Sequence, residues 1–143
     1  MVIVMIEKIK MIEEICNDIE KAKNSEISDI FKSLIKKITT KIDKYIGDYP
    51  TFIEPVFLGE NVRIGDDVLL GPNVYIGANS VIGDYVEISN SILLDNVRIG
   101  ENIKLENCIV GQNSNFNFSK FSAKNSVLVG SGTSKEALKI LNM

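Results

Sequence analysis

Residues 60–86, ENVRIGDDVLLGPNVYIGANSVIGDYV, repeat a pattern with a period of six residues. In each repeat an Ile or Leu stands directly before a Gly, and a Val or Ser follows four positions after that Ile or Leu. Self-similarity at a short fixed period is typical of folds that stack equivalent structural units. The pattern predicts that each repeat forms a short strand and then a corner, with the Ile or Leu and the later Val or Ser pointing inward.

The corner of each repeat carries Asn or Asp at one recurring place. Such a corner requires backbone angles that Gly adopts freely and that Asn and Asp tolerate better than other residues. We therefore expect the recurring Gly and the recurring Asn or Asp both to serve the corner. The corner residues are Asn61, Asp67, Asn73, Asn79, Asn96, Asn102 and Asn113.

Three shortened repeats indicate how many sides each coil has. The five-residue units FIEPV, EISNS and KLENC begin at residues 52, 87 and 104, so their starts are separated by six units and then by three units. Both intervals are multiples of three, which places the shortened units on one side of a triangular coil. Coils stacked at a strand spacing of about 4.8 Å form a parallel β-helix. We predict an all-β core of about four to five coils over residues 52–131.

The N-terminal segment, residues 1–48, is predicted to form an α-helical hairpin. Apolar residues recur at steps of three and four from Met5 to Ile19 and again from Ile27 to Ile46, which is the periodicity of a helical face. Gly47 suits the end of the second helix.

The C-terminal segment, residues 132–143, is predicted to form a short capping helix. Thr133 and Glu136 have the spacing of a capping box, and the following apolar residues can cover the last coil. A cap is expected because the last coil of a β-helix otherwise exposes strand edges and an open core.

One outer side of the triangle is apolar from the first coil to the last. A patch of this size is rarely left exposed on a monomer, so either another copy of the chain or the chain's own helical hairpin is expected to cover it. The residues of this predicted oligomer or helix-docking face are Phe57, Tyr75, Ile92, Ile109 and Val127, with Leu94 and Val129 in place of the usual corner Gly.

A different corner stacks Asn90, Asn107 and Asn125. Side-chain amides stacked in this way can bond from coil to coil. We therefore predict a structural Asn ladder at this corner.

Composition argues against several classes of function. The chain has a net charge of −3 without a run of basic residues, so no nucleic-acid partner is predicted. The opening MVIVMI is too short to be a signal-peptide core or to span a bilayer. Two distant cysteines, Cys16 and Cys108, are expected to be reduced and packed, which favours a cytoplasmic location.

The pattern [LIV]-Gly-x-x-[STAV]-x resembles the hexapeptide-repeat family, whose fold is the left-handed parallel β-helix. Within that family, FIEPVFLGENVRIG and EISNSILLDNVRIGENIKLENCIVGQNSNF look most like the C-terminal β-helix of sugar-phosphate nucleotidylyltransferases. Members of the family are usually trimers, so the resemblance implies a homotrimer. Residues 1–48 match no nucleotidylyltransferase feature, and the chain lacks the Gly-rich phosphate loop of the catalytic domain.

The sequence contains no His, which excludes two chemistries of the resembled family. Most of its acyltransferases use His as a general base, and its carbonic anhydrases bind zinc through three His. No metal site and no catalytic residue are predicted. Lys120 and Lys124, in the irregular stretch NSNFNFSKFSAKN, are candidates for the phosphates of an acyl-CoA held between chains.

Three hypotheses for function follow. The first is a non-catalytic β-helix module that assembles with itself and regulates or recruits a sugar-nucleotide enzyme through its N-terminal helices, without a cofactor. The second is an acyltransferase that uses acetyl-CoA without a catalytic His and acts on a sugar or nucleotide sugar. The third is an accessory chain of a sugar-phosphate nucleotidylyltransferase.

Overall fold

The computed structural model describes residues 2–143 and places two α-helices beside a column of short strands. The helices are α1 (Val2–Asn17) and α2 (Asn24–Ile35), joined by a 3-10 turn at Ile19–Lys21. The strands in residues 2–143 are β1 Thr51–Phe52, β2 Val56–Leu58, β3 Arg63–Ile64, β4 Leu69–Leu70, β5 Val74–Ile76, β6 Val81–Ile82, β7 Glu87–Ser89, β8 Ser91–Leu93, β9 Arg98–Ile99, β10 Ile103–Glu106, β11 Ile109–Val110, β12 Asn115–Phe116, β13 Phe121–Lys124, β14 Ser126–Val129, β15 Ser131–Gly132 and β16 Lys139–Asn142.

The strands form three sheets because each strand pairs with the equivalent strand of the previous coil, which is usually three strands earlier in the chain. The first sheet has the order β1-β4-β7-β10-β13, the second β16-β14-β11-β8-β5-β2, and the third β15-β12-β9-β6-β3. Strands from successive coils pair in parallel; β16 is the exception, since it runs antiparallel to β14. The predicted fold, a left-handed parallel β-helix of about five coils with a helical hairpin before it, is confirmed.

The core of the β-helix is a continuous stack of apolar side chains enclosed by the three sheets. Equivalent residues stack in register, as Ile64, Ile82 and Ile99 do on the third sheet, and all three are at most 5% exposed. Each coil therefore shares its buried surface with the coils above and below it, which is how a solenoid stabilises units that could not fold alone.

The predicted role of the corner Asn and Asp residues is confirmed. All seven have backbone φ angles between 54° and 63°, the left-handed region in which Asn and Asp are less strained than other residues with a side chain. Tyr85 and Lys120 adopt the same conformation, with φ angles of 58° and 59°.

The predicted reason for the recurring Gly is wrong at most positions. In residues 2–143 a positive φ occurs at Gly71 and Gly130, and the other repeat glycines lie outside that region. They are needed because the next coil approaches closely: a Cβ on Gly59 would lie 2.7 Å from the Ala78 backbone nitrogen, and a Cβ on Gly83 would lie 2.8 Å from the Gly100 carbonyl carbon.

The second helix is shorter than predicted. It ends at Ile35, not Ile46, because residues after it pair with the first coil. Lys41 bridges to Phe57 and Ile46 bridges to Arg63, both in parallel. The backbone nitrogens of Lys41 and Ile46 each donate a hydrogen bond of 2.9 Å to this coil. The free edges of β2 and β3 thus draw residues 41–46 into a partial coil that covers the N-terminal end of the core.

The predicted C-terminal helix is wrong as well, although this segment does cover the last coil. It consists of one 3-10 turn at Lys135–Ala137 and then β16, which pairs with β14. An antiparallel strand satisfies the unpaired backbone groups of β14, which a short helix would leave open. Leu138, between the turn and the strand, packs on the end of the core. No helix in the described part of the chain is both long and apolar enough to cross a bilayer.

Candidate functional surfaces

The apolar column on the second sheet is built by strand register. Phe57, Tyr75, Ile92, Ile109 and Val127 face one another in sequence along β2, β5, β8, β11 and β14. The rings of Phe57 and Tyr75 stack with centroids 5.1 Å apart. We refer to these five residues as the apolar column.

The chain's own helical hairpin covers the apolar column. Met5, Ile12 and Leu34 are fully buried, and they belong to one apolar cluster with Ile92 and Ile109 of the column. Leu94 and Val129, which occupy corner Gly positions, join the same cluster. Of the two covers that the sequence left open, the structure places the hairpin on this face, so a second copy could reach it only if the hairpin moved.

A polar seam lies along one edge of this helical contact. The Gln112 Nε2 atom donates to the Glu13 carbonyl oxygen at 2.9 Å and to the Asn17 Oδ1 atom at 2.6 Å. Burial, together with the negative charge of Asp95, raises the pKa of the Glu13 carboxyl above its ordinary value. Burial, followed by the charges of Asp95 and Glu13, raises the pKa of Tyr75 to about 12. The seam therefore holds α1 by hydrogen bonds but places the carboxylates of Glu13 and Asp95 near each other.

Neither cysteine is placed for chemistry. Cys16 and Cys108 are buried and unpaired as a disulfide. Burial raises the pKa of Cys16 to about 12, so this thiol stays protonated, and a thiol is a poor nucleophile in that form. In residues 2–143 no group of three or more His, Cys, Asp or Glu side chains could hold a metal ion.

The structure places Asn90, Asn107 and Asn125 at one corner, with φ angles between 47° and 54°. A side-chain bond at this corner joins Asn73 Nδ2 to Asn90 Oδ1 at 2.8 Å. The next two contacts run through the backbone, from the Asn107 nitrogen to the Ser89 oxygen and from the Asn125 nitrogen to the Glu106 oxygen. The corner is therefore held partly by amide side chains and partly by the main chain.

Two corner aspartates have a structural role that the sequence pattern did not reveal. The Asp84 Oδ1 atom accepts a hydrogen bond from the Asp66 backbone nitrogen, and the Asp95 Oδ1 atom accepts one from the Ala78 nitrogen, both at 2.8 Å. Each carboxylate thus caps a corner of the preceding coil. The signal in the sequence was an Asp two positions after the inward residue of the repeat, a pattern that also fits a solvated turn.

The two lysines proposed for phosphate binding lie in different surroundings. Lys124, on β13, forms an ion pair of 3.5 Å with Glu106 on the neighbouring strand of the first sheet. Lys120 lies at the preceding corner and lines a cavity of about 380 Å³. Lys135, which sequence reasoning missed because the predicted C-terminal helix hid its position, lines the same cavity.

The first turns of α1 expose a second apolar surface, which we call the α1 patch. These side chains point away from the buried face of the helix, and Ile3 is 70% exposed. The residues of the α1 patch are Val2, Ile3, Val4, Ile6 and Met11.

Comparison with known proteins gives a matching family model and a similar solved structure. The family model described as the GMPPB C-terminal domain matches residues 52–142. No curated protein sequence matches the chain. Among solved structures, a maltose O-acetyltransferase from Clostridium difficile 630 is similar, with 18% identity over 97% of this chain and 87% of that chain, and a TM-score of 0.27.

Proposed function

Because the chain belongs to the family of the GMPPB C-terminal domain, the hexapeptide-repeat β-helix of nucleotidylyltransferases, we propose that it is a non-catalytic module that assembles with copies of itself. The matched region is the β-helix and C-terminal strand, and a family of folds does not by itself specify a reaction. The absence of His from the sequence supports a role without the acid–base chemistry expected of acyltransferases with this fold.

The observation that carries the proposal is the α1 patch. Its five large side chains lie within the first eleven residues, and each is at least 38% exposed. Removing an apolar side chain from water stabilises an assembly by roughly 25 cal/mol for each Å² buried. The helix that presents the patch is anchored, since Met5, Ile9 and Ile12 on its other side are buried against the β-helix and α2.

Charge favours a second copy of the chain as the occupant of this patch. Charged residues of both signs are interspersed with the patch along α1, namely Glu7, Lys8, Lys10, Glu13 and Glu14. A copy of the same surface can therefore pair its acidic residues with the lysines of the other copy. The usual trimers of the resembled family favour three copies arranged around an axis that runs beside α1.

The experiment is a solution mass of the full chain by light scattering. We expect a mass of three times 15.9 kDa for the wild type and a monomer for the double variant Ile3→Asp, Ile6→Asp. The matched control is Ile140→Asp, which charges an Ile that is 52% exposed on β16 and should leave the trimer intact. A monomeric wild type, or dissociation by the control as complete as by the double variant, would refute the proposal.

The family match favours one second candidate, an accessory chain of a sugar-phosphate nucleotidylyltransferase. Under this alternative the α1 patch contacts the catalytic chain. Mixing the purified chain with a sugar-phosphate nucleotidylyltransferase from the same cell should give a complex in light scattering, and the Ile3→Asp, Ile6→Asp variant should not form it. If the chain forms a homotrimer and does not bind the enzyme, the result supports self-assembly alone.

A further inference from the structure

We propose that the cavity at the C-terminal end of the β-helix binds a nucleoside phosphate, with the phosphate on Lys120 and Lys135 and the base on Phe118 and Phe121. Its volume of about 380 Å³ lies within the range of small-molecule sites. This site is separate from the α1 patch, so the proposal goes beyond the proposed assembly and does not depend on it.

The cavity lies where the repeat is interrupted. Lys104 pairs with Glu87 seventeen residues before it, but Ser122 pairs with Lys104 eighteen residues before it. Phe121 accordingly pairs with Ile103 rather than with Lys104. One extra residue therefore enters the corner between β12 and β13. Local departures from a consistent sequence pattern are expected at functional or strained sites.

Lys120 is held in an unusual conformation at this corner. Its φ angle is 59°, in a region that disfavours a long side chain with a Cβ. Most equivalent corners carry Asn or Asp, which adopt these angles with less strain. Strained backbone is often retained where a side chain has a function to serve. The conformation of Lys120 is thus explained if its ammonium group is needed at the cavity.

The charge of the lining suits an anion. Among the described residues, neither Lys120 nor Lys135 has a carboxylate within 4.0 Å, in contrast to Lys124 and Lys104. Glu136 also lines the cavity. Hydrogen bonds from its own backbone nitrogen and from Ser134 lower the pKa of Glu136, so this carboxylate is ionised and already has hydrogen-bond donors of its own. Although the charge of Lys135 also acts on Glu136, two lysines and one carboxylate leave the lining with a net positive charge.

Hydroxyl groups add donors of the kind that phosphate oxygens accept. Ser119, Ser122 and Thr133 line the cavity together with the two lysines. Lysine binds phosphate as a point charge, and hydroxyl groups complete the hydrogen bonds that the phosphate oxygens require.

An aromatic wall forms the other part of the lining. Phe118 and Phe121 meet edge to face with centroids 5.4 Å apart, and both are half-buried. Phe116, which is 1% exposed, stacks behind Phe118 at 5.4 Å and supports it from the core. A supported aromatic wall beside cations matches a ligand that combines a flat ring with phosphate, because bases stack on aromatic side chains.

The test is isothermal titration of the full chain with ADP, GDP, UDP and coenzyme A as separate probes, and with adenosine and inorganic phosphate as fragments. At least one nucleotide probe should bind, and at least tenfold more tightly than either fragment. The probe that binds most tightly identifies which nucleoside phosphate the site prefers. If no nucleotide probe binds, or if inorganic phosphate binds as tightly as the nucleotides, the proposal is overturned.

Variants assign the site. Lys120→Asn restores the usual corner residue, so it should keep the fold while weakening binding of the strongest probe at least tenfold. Lys135→Gln should weaken it similarly. The matched control is Lys124→Gln, which removes a lysine of the neighbouring sheet that is paired with Glu106 and should leave affinity unchanged. A loss of affinity in the control equal to that in Lys120→Asn would also overturn the proposal.

Discussion

Single residues determine whether each coil can turn, and they do so in two physically different ways. At the Asn and Asp corners the requirement is conformational, because the backbone adopts positive φ angles there. At most repeat glycines the requirement is steric, because the next coil leaves no room for a Cβ. The two causes predict different responses to substitution.

Asn102 tests the conformational requirement. Its side chain is exposed and its φ angle is 54°. Asn102→Ala should lower the free energy of unfolding by about 1 kcal/mol, since Ala is disfavoured in this region, whereas Asn102→Gly should be nearly neutral. Urea unfolding measures both. Asn117→Ala, at an exposed position outside the left-handed region, is the control. Equal losses from Ala and Gly at position 102 would contradict the explanation.

Gly77 tests the steric requirement. A Cβ there would lie 2.7 Å from the Asp95 backbone nitrogen, and that backbone belongs to a paired coil that cannot move away easily. Gly77→Ala should therefore lower the free energy of unfolding by about 1–3 kcal/mol, the usual cost of overpacking. Ser89→Ala is the control, because Ser89 already has a Cβ at the third position of a shortened unit. A stable Gly77→Ala variant would show that the coils can separate locally.

At the scale of elements, the contact between α1 and the β-helix combines apolar packing with an unfavourable pair of charges. The apolar side chains of the hairpin cover the apolar column. The hydrogen bonds that Gln112 donates hold the end of α1 against the β-helix. Partial burial, and after it the negative charge of Asp95, raises the pKa of the Glu13 carboxyl. Docking of α1 should therefore depend on pH.

The sign of this dependence follows from the raised pKa of Glu13. The folded state binds the Glu13 proton more tightly than the unfolded chain does, so this group's contribution to stability is lost as the pH rises from about 4.5 through the raised value. Glu13→Gln removes the charge and should raise the melting temperature at pH 7, with a smaller difference at pH 4.

Thermal unfolding of Glu13→Gln is compared with that of Glu14→Gln, which neutralises an exposed carboxylate on the next position of the same helix. The control should change little at either pH. A Glu13→Gln variant that melts at a lower temperature than the wild type at pH 7 would contradict the proposed repulsion from Asp95.

At the scale of the whole molecule, two apolar clusters meet across the second sheet. The inward residues of this sheet belong to the core of the β-helix. Its outward residues, which form the apolar column, belong to the cluster that contains the hairpin. The partial coil at residues 41–46 covers one end, and β16 extends the second sheet at the other. Helices and β-helix should therefore unfold together.

Ile12→Ala tests this cooperativity. Ile12 is fully buried in the hairpin cluster, so its truncation should cost about 2–5 kcal/mol. Circular dichroism, which follows the helices, and fluorescence of the four tyrosines, all of which lie outside the two helices, should report one shared transition moved to lower denaturant concentration. Glu14→Ala serves as the exposed control on α1. Loss of the helical signal before the tyrosine signal would show that the hairpin folds independently.

The amino-acid sequence by itself determined the repeat, the three sides, the corners and the outward columns, because a six-residue period puts equivalent side chains in equivalent places. It also predicted the two candidates for covering Phe57, Tyr75 and Ile92. These features depend on the spacing of residues along the chain, and that spacing can be read directly from the sequence.

Only the tertiary structure decided what happens at the ends and between the elements. The second helix stops at Ile35 and β16 replaces a helix, because free strand edges offer hydrogen bonds that local periodicity does not encode. The glycines are required by the close approach of a neighbouring coil, and Lys120 and Lys135 line the same cavity at the corner that one extra residue shifts. These contacts join residues distant along the chain, so they arise only once the coils have stacked.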